Sequence, residues 1–312
     1  MPKFVLTCVG GNIGRTSASY ALEIASPDST LVFTTSDPTK IPSETIKSWE
    51  SKGVRISAAS YDDVESLKAV FVGAEAVNLI STWAFGRRHE QAQNVIDAAK
   101  ACRVRRICYT SFVGADDPAL VDEMPFLPRD HKNTEALIRA SGLEYNIQRD
   151  YLYIDNIPNF FGPSWNFCGN RWIFNSHDVP GAYVAREDCV RVHAALLLGR
   201  GEPNIVYDVT GPDAVTDRQV FEWICSELGG QDEFVDMADE DLREYWIQRG
   251  LPTGISEPSQ IPMKLCVDDL LCCGEMVARG YMAKTSNAVE TLTGGKPLSF
   301  QEVLLEYKHA FV

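Results

Sequence analysis

The chain has 312 residues, 45% of them apolar, enough for one large domain or a large domain with a smaller companion. Asp and Glu number 43 against 29 Lys and Arg, a net charge of −14. That sign repels a phosphate backbone and an anionic bilayer, so no nucleic-acid partner and no membrane surface is expected.

The predicted elements alternate from the start. Residues 4–9 form a short apolar strand that runs into glycines, and 15–25 have helical spacing. Residues 29–36 are rich in β-formers and end at Asp37-Pro38, a turn signal. A helix over 43–52, a strand over 54–58 and a helix over 62–71 follow, the last with acidic residues in its first turn, as the helix dipole favours. Then come a strand (76–81), a long helix (89–102), a strand (106–111), a helix over 134–140 that stops at Gly142, and a sixth strand (144–148). The basic cluster Arg103, Arg105 and Arg106 reads as a solvated turn. Strands separated by single helices predict βαβ units, hence an α/β, Rossmann-type doubly wound parallel sheet over residues 1–150.

Residues 151–312 are less regular. Aromatics cluster early: Tyr151, Tyr153, Phe160, Phe161, Trp165, Phe167, Trp172 and Phe174. Strand-like stretches at 182–184 and 205–209 precede helices near 217–228 and 239–249. This half is expected to form a smaller α+β substrate-side lobe, intertwined with the first and set against the sheet's C-terminal edge. No run reaches the ~18 apolar residues of a membrane span, and the N-terminus lacks a signal-peptide core and cleavage site, so a cytoplasmic location is expected. The nine cysteines are irregularly spaced, with no CxxC, which excludes a zinc pattern and suggests mainly buried thiols.

The first chemical motif is Cys8-Val9-Gly10-Gly11-Asn12-Ile13-Gly14, between a strand and a helix. Glycines there let backbone amides approach a pyrophosphate, and the helix N-terminus adds a favourable dipole. The loop resembles the GxxGxxG element of the NmrA-like atypical short-chain dehydrogenases. Further segments are similar to that family, in the same order: AEAVNLIS (74–81), NVIDAAKACRVRRICYTSFVGAD (94–116), RDHKNTEALIRASGLEYNIQR (129–149), YVAREDCVRV (183–192), YDVTGP (207–212) and ETLTGGKPLSFQE (290–302). The resemblance spans nearly the whole chain and is nearest the quinone-oxidoreductase branch. It implies NADP or NAD held by Gly10, Gly11, Asn12, Ile13, Gly14, Ser36, Asp37, Lys40, Ser60, Ser81 and Lys132.

Three positions depart from the family pattern. Cys8 stands for the first glycine and would crowd a tight turn. Ser36 stands where relatives place an Arg on the 2′-phosphate, with Lys40 as a substitute cation and Asp37 as a ribose ligand that would favour NAD. Ser60-Tyr61 replaces an Asp beside the adenine. Losing one charge-assisted phosphate contact costs about 1.5–3 kcal/mol, so cofactor binding is expected to be weakened, lost or repurposed. Cys8 reads as packing or, at a helix N-terminus, as a redox-sensitive thiol.

No Tyr-x-x-x-Lys pair occurs at the expected place. Ser111 ends the fifth strand, as a reacting hydroxyl or as a backbone-bonded one. His131 falls where the family places a catalytic-side polar residue, and is a general acid or a residue just ahead of a helix capped near Asn133 or Thr134. His89, His177, His193 and His309 show no ligand spacing. Arg149, Tyr153 and Asn156 match the segment that bounds the family's substrate pocket, with Tyr153 as the phenol that orients or protonates substrate. Phe112, Asp150, Tyr151, Asp155 and Asn156 are expected in its wall, with Trp83, Phe85 and Arg87 on the other side. An aromatic wall suits a flat, apolar, aromatic or polyketide-like small molecule.

The first functional reading is NAD(P)H-dependent reduction of a planar quinone, enone or carbonyl compound, served by His131, Ser111 and Tyr153. Two others stand beside it: a cofactor-independent isomerase, cyclase or lyase using His131, Asp150 or Asp155, and a dinucleotide-sensing regulator without catalysis. A monomer or homodimer is expected.

Overall fold

A computed structural model describes residues 1–310 apart from 83, 85, 120–122, 162–170, 229–232 and 255–265. Short β-rich runs form the sheet; the central ones bury both faces, as parallel strands under helices must, while the two edge runs stay partly exposed. The runs are β1 (Lys3–Leu6), β2 (Thr30–Thr35), β3 (Arg55–Ala58), β4 (Ala76–Ile80), β5 (Arg106–Phe112), β6 (Glu144–Asp150) and, further on, β8 (Ile205–Val209). They pair in the order β3-β2-β1-β4-β5-β6-β8, every pair parallel. Chain direction across the sheet reverses between β1 and β4, and a crevice opens at their C-terminal ends.

The covering helices are α1 (Asn12–Ile24), α2 (Ser43–Ser51), α3 (Val64–Phe71), α4 (Arg88–Ala101) and α5 (Phe126–Ala140). Val5, Val77, Ile107 and Ile147 pack with Val95, Ile96 and Ile138 on one face. Phe4, Leu6 and Phe33 pack with Ala18 and Trp49 on the other. Asp63 starts α3 by accepting the Glu65 and Ser66 amides at 3.1 Å each.

The second half holds β7 (Arg171–Phe174) paired parallel with β9 (Glu233–Asp236), and helices α6 (Arg186–Leu197), α7 (Asp217–Leu228), α8 (Asp239–Gln248), α9 (Val267–Ala278), α10 (Ala288–Thr293) and α11 (Phe300–Glu306). Several expectations need correction. Residues 205–209 do not belong to the lobe but pair with β6 as the seventh strand, reached through the α6 crossover that a parallel pair requires. Residues 182–184 form no strand, and Val184 makes a single isolated bridge with Tyr153. Helix α5 begins at Phe126 rather than near Asn133, because Pro125 and Pro128 sit at the N-cap and first turn, where a missing N–H costs nothing. Arg106 is a buried strand residue donating to the Leu197 carbonyl at 3.1 Å, not part of a solvated turn. Among the described cysteines none is bridged.

Candidate active site

Strand β1 delivers the chain to a turn in which Cys8 takes a φ of 58°, the left-handed region, and the Gly11 amide donates to the Cys8 carbonyl at 2.9 Å. A Cβ on Gly14 would lie 2.2 Å from the Cys8 carbonyl oxygen, and one on Gly10 2.6 Å from Thr35 Oγ1. The start of α1 is therefore pressed against the turn as only glycine permits. Gly11 at its N-cap has no side-chain cap, and first-turn amides have no intrahelical acceptor. These amides border a cavity of about 580 Å³ along the C-terminal ends of β1 to β4, lined by Gly10, Gly11, Asn12, Ile13 and Gly14.

At one end of this cavity lie Ser36, Lys40, Ser60, Tyr61 and Asp62. Asp37 does not line it. Its carboxylate caps the turn Pro38–Lys40, accepting from Thr39 N at 3.0 Å and Thr39 Oγ1 at 2.6 Å, and those bonds hold it below the usual carboxylate range. The buried Tyr61 hydroxyl bonds Thr7 Oγ1 and accepts the Ile80 amide at 3.0 Å. Burial pushes the neighbouring Cys8 thiol up, so it stays protonated, the opposite of a reactive cysteine. Arg87 is half exposed, pairs with Asp62 at 2.8 Å and Glu90 at 3.6 Å, and lines neither this cavity nor the next. Trp83 and Phe85 lie outside the described residues.

The far end opens into an inner cavity of about 200 Å³, sharing Ile13, Ile80, Ser81, Thr82, Tyr153, Asn156, Asp269 and Cys273 with the first. Ser111, Phe112, His131, Asp150 and Tyr151 line it too. Ser111 Oγ donates to buried Glu135 at 2.6 Å, beside the two-pronged bond from Arg149 at 2.9 and 2.8 Å. Burial pushes Glu135 up, but Arg149, with Ser111 and Arg139, holds it below its ordinary value. Its charge thus keeps the Ser111 proton. His131 is buried, with Nδ1 2.7 Å from Tyr109 Oη and its ring 5.8 Å from Phe112. Burial and the Arg88 charge lower its pKa well below the ordinary value, so the ring is neutral at pH 7.

Tyr153 donates to Asp150 Oδ2 at 2.7 Å, and Gln148 donates to Oδ1 at 2.6 Å. Burial and Asp150 push the phenol far up, and burial raises Asp150 to about 6. Arg186, with its guanidinium carbon 5.3 Å from the Tyr153 ring centre, donates to Asn156 at 3.1 Å. Asp155 lies outside both cavities, accepting the Arg186 amide at 2.8 Å. Lys132 also lies outside, donating to the Asp117 and Ala119 carbonyls. Arg186, Arg88, Asp269 and Cys273 were not foreseen in the site. Arg186 falls in a segment already similar to the family, whereas Asp269 and Cys273 carry no motif and gain meaning only from the placement of α9.

Residues 10–159 match a family model described as NAD(P)H-binding. The chain is similar to quinone oxidoreductase 2 of Escherichia coli, 28% identical over 66% of this chain and 70% of that one. It is also similar to an NmrA-like family domain-containing oxidoreductase of Aspergillus flavus, 24% identical over 77% and 79%. The structure of the NADPH-dependent quinone oxidoreductase from Escherichia coli, complexed with NADPH, aligns over 100% of both chains with a TM-score of 0.82 and 25% identity. The fold and site define an NAD(P)-binding Rossmann protein. Over most of its length the chain is similar to the NmrA-like atypical short-chain dehydrogenases.

Proposed function

We propose that the protein is an NAD(P)H-dependent oxidoreductase that reduces a planar quinone, enone or carbonyl small molecule. The observation that carries this reading is the glycine cradle opening, through a shared wall, into a second cavity of substrate size. The residues fit a dinucleotide: Gly10 and Gly14 let the turn and the start of α1 close against Thr35 and Cys8, which sets first-turn amides without intrahelical acceptors at the cavity's edge, where a pyrophosphate would meet them. Ser36 and Lys40 line the adenosine end while Asp37 is turned to Thr39, which supports NADPH over NADH. The bound cofactor supplies the hydride.

The chain's own groups do the rest. Tyr153, its proton held by Asp150, presents the phenol oxygen at the junction and orients the substrate. Phe112, Tyr151 and neutral His131 offer flat apolar faces in the inner cavity, which suits an aromatic or polyketide-like ring. Cofactor-free chemistry was motivated by the altered loop, and the cradle's persistence around Cys8 speaks against it; a dinucleotide-sensing regulator needs no deep pocket beside the nucleotide, and the inner cavity speaks against that reading.

Calorimetric titration with NADPH and NADH, followed by assay of NADPH oxidation with 2-methyl-1,4-naphthoquinone, tests the reading. Micromolar NADPH binding, weaker NADH binding and quinone-dependent oxidation are expected. Absence of binding to either nucleotide would overturn it.

A further inference from the structure

We propose that Asp269 is the acid that protonates the reduced substrate, an inference that rests on the reductase reading. Asp269 stands in the first turn of α9, on the lobe side of the junction, lining both cavities while its residue is only 7% exposed. Among the described residues none hydrogen-bonds its carboxyl group. A buried carboxyl aimed into a cavity without a protein partner has its hydrogen-bonding capacity left for a ligand.

The other groups shared by the two cavities are poor donors. Tyr153 gives its proton to Asp150 and Thr82 gives its to Gln91 at 2.7 Å. Burial drives the Cys273 thiol far up, and the Ser81 hydroxyl and Asn156 amide are not acids at neutral pH. His131, deeper in the inner cavity, is neutral.

The charged and titratable groups around Asp269 are Arg88 of α4, which holds the Thr82 carbonyl at 2.6 Å and lies 3.7 Å from Asp130, together with His131, Tyr153 and the thiols of Cys266, Cys272 and Cys273. Burial raises Asp269 and Arg88 draws it back, leaving it at about 6. The acid form is thus populated in the range where proton transfer is most efficient.

In each turnover the substrate carbon takes a hydride from the reduced cofactor, the Asp269 O–H bond breaks, and an O–H bond forms on the substrate's carbonyl oxygen. The carboxylate regains its proton from water. Tyr153 and Asp269 approach the junction from opposite parts of the chain, one positioning the oxygen and the other protonating it.

The test compares wild type with Asp269→Asn and Asp269→Glu in NADPH oxidation by 2-methyl-1,4-naphthoquinone across pH, in NADPH titrations and in infrared difference spectra. The expected result is a wild-type kcat that declines as pH rises through about 6. Asp269→Asn should lower kcat by about 100-fold and lose that limb, with NADPH affinity unchanged, while Asp269→Glu keeps an acid and retains the limb. Wild-type minus Asp269→Asn spectra should show one protonated carboxyl at pH 5 that disappears above the limb. An Asn variant with wild-type kcat and pH profile, or a spectrum without that carboxyl, overturns the proposal alone. A wild type that binds NADPH and reduces no quinone, enone or carbonyl compound overturns the reductase reading and this proposal together. If Asp269→Asn fails to fold, an Asp269→Glu variant that folds but lacks the limb overturns it.

Discussion

At Cys8 the backbone takes a conformation that a side chain rarely adopts, yet the turn closes and the sulfur packs beside Tyr61. Glycine carries no Cβ penalty there, while alanine keeps it and loses the sulfur. Cys8→Gly should therefore be more stable than Cys8→Ala by about 1 kcal/mol in urea unfolding; equal midpoints would mean the left-handed turn stores no strain. Tyr153→Phe removes the phenol that Asp150 orients, and should lower kcat by about 10- to 100-fold with NADPH affinity unchanged. A variant with a full rate would leave the ring with a packing role only. Gly10 and Gly14 were legible in the sequence because their requirement is local and steric. Ser111 and Lys132 were harder to read: the partners that occupy them, Glu135 and the carbonyls of Asp117 and Ala119, announce themselves only in space.

Among the elements, α1 and the loop before it form one steric unit. Gly14→Ala places a methyl 2.2 Å from the Cys8 carbonyl oxygen, and the backbone there cannot turn aside as a side chain can. The variant should lose about 1–3 kcal/mol of stability and bind NADPH too weakly for calorimetry, whereas wild-type binding would show that the loop relaxes freely. The six strands and crossover helices of the first half were legible, since a periodic alternation of apolar strand and amphipathic helix states itself in sequence. Strand β8 was assigned to the lobe because its residues are half exposed at the sheet edge and carry Tyr207 and Asp208, which look unlike a buried strand. The early start of α5 was hidden by two prolines that act as breakers in mid-helix and as starters in the first turn.

For the molecule as a whole, buried acids and bases pull in opposite directions as pH changes. Burial raises Asp150, Asp188, Asp217 and Asp269 to about 6. Each binds a proton in the folded state at pH 5 that the unfolded chain, near 3.8, does not, so these four add stability as pH falls from 7 through 6. His193, lowered to about 4 by burial, and His131 refuse a proton that the unfolded chain accepts near 6.5, so these two remove stability over the same range. Four groups outweigh two, and the net charge of −14 falls in magnitude as well. The thermal midpoint is expected to be higher at pH 5.5 than at pH 7.5; the reverse order would mean the histidines dominate. None of these values was legible in the sequence, because each arises from burial that the tertiary fold creates.

The strand order has a consequence for biosynthesis. Strand β6 is covered on one side by β5, but its other side waits for residues 205–209, which leave the ribosome after all of α6. At ordinary translation rates that interval is roughly 3–12 seconds, during which a nearly complete parallel sheet carries an open edge of unpaired amides and carbonyls beside apolar side chains. The nascent chain is most exposed to misassociation in that window, after the cradle has formed and before the sheet is sealed.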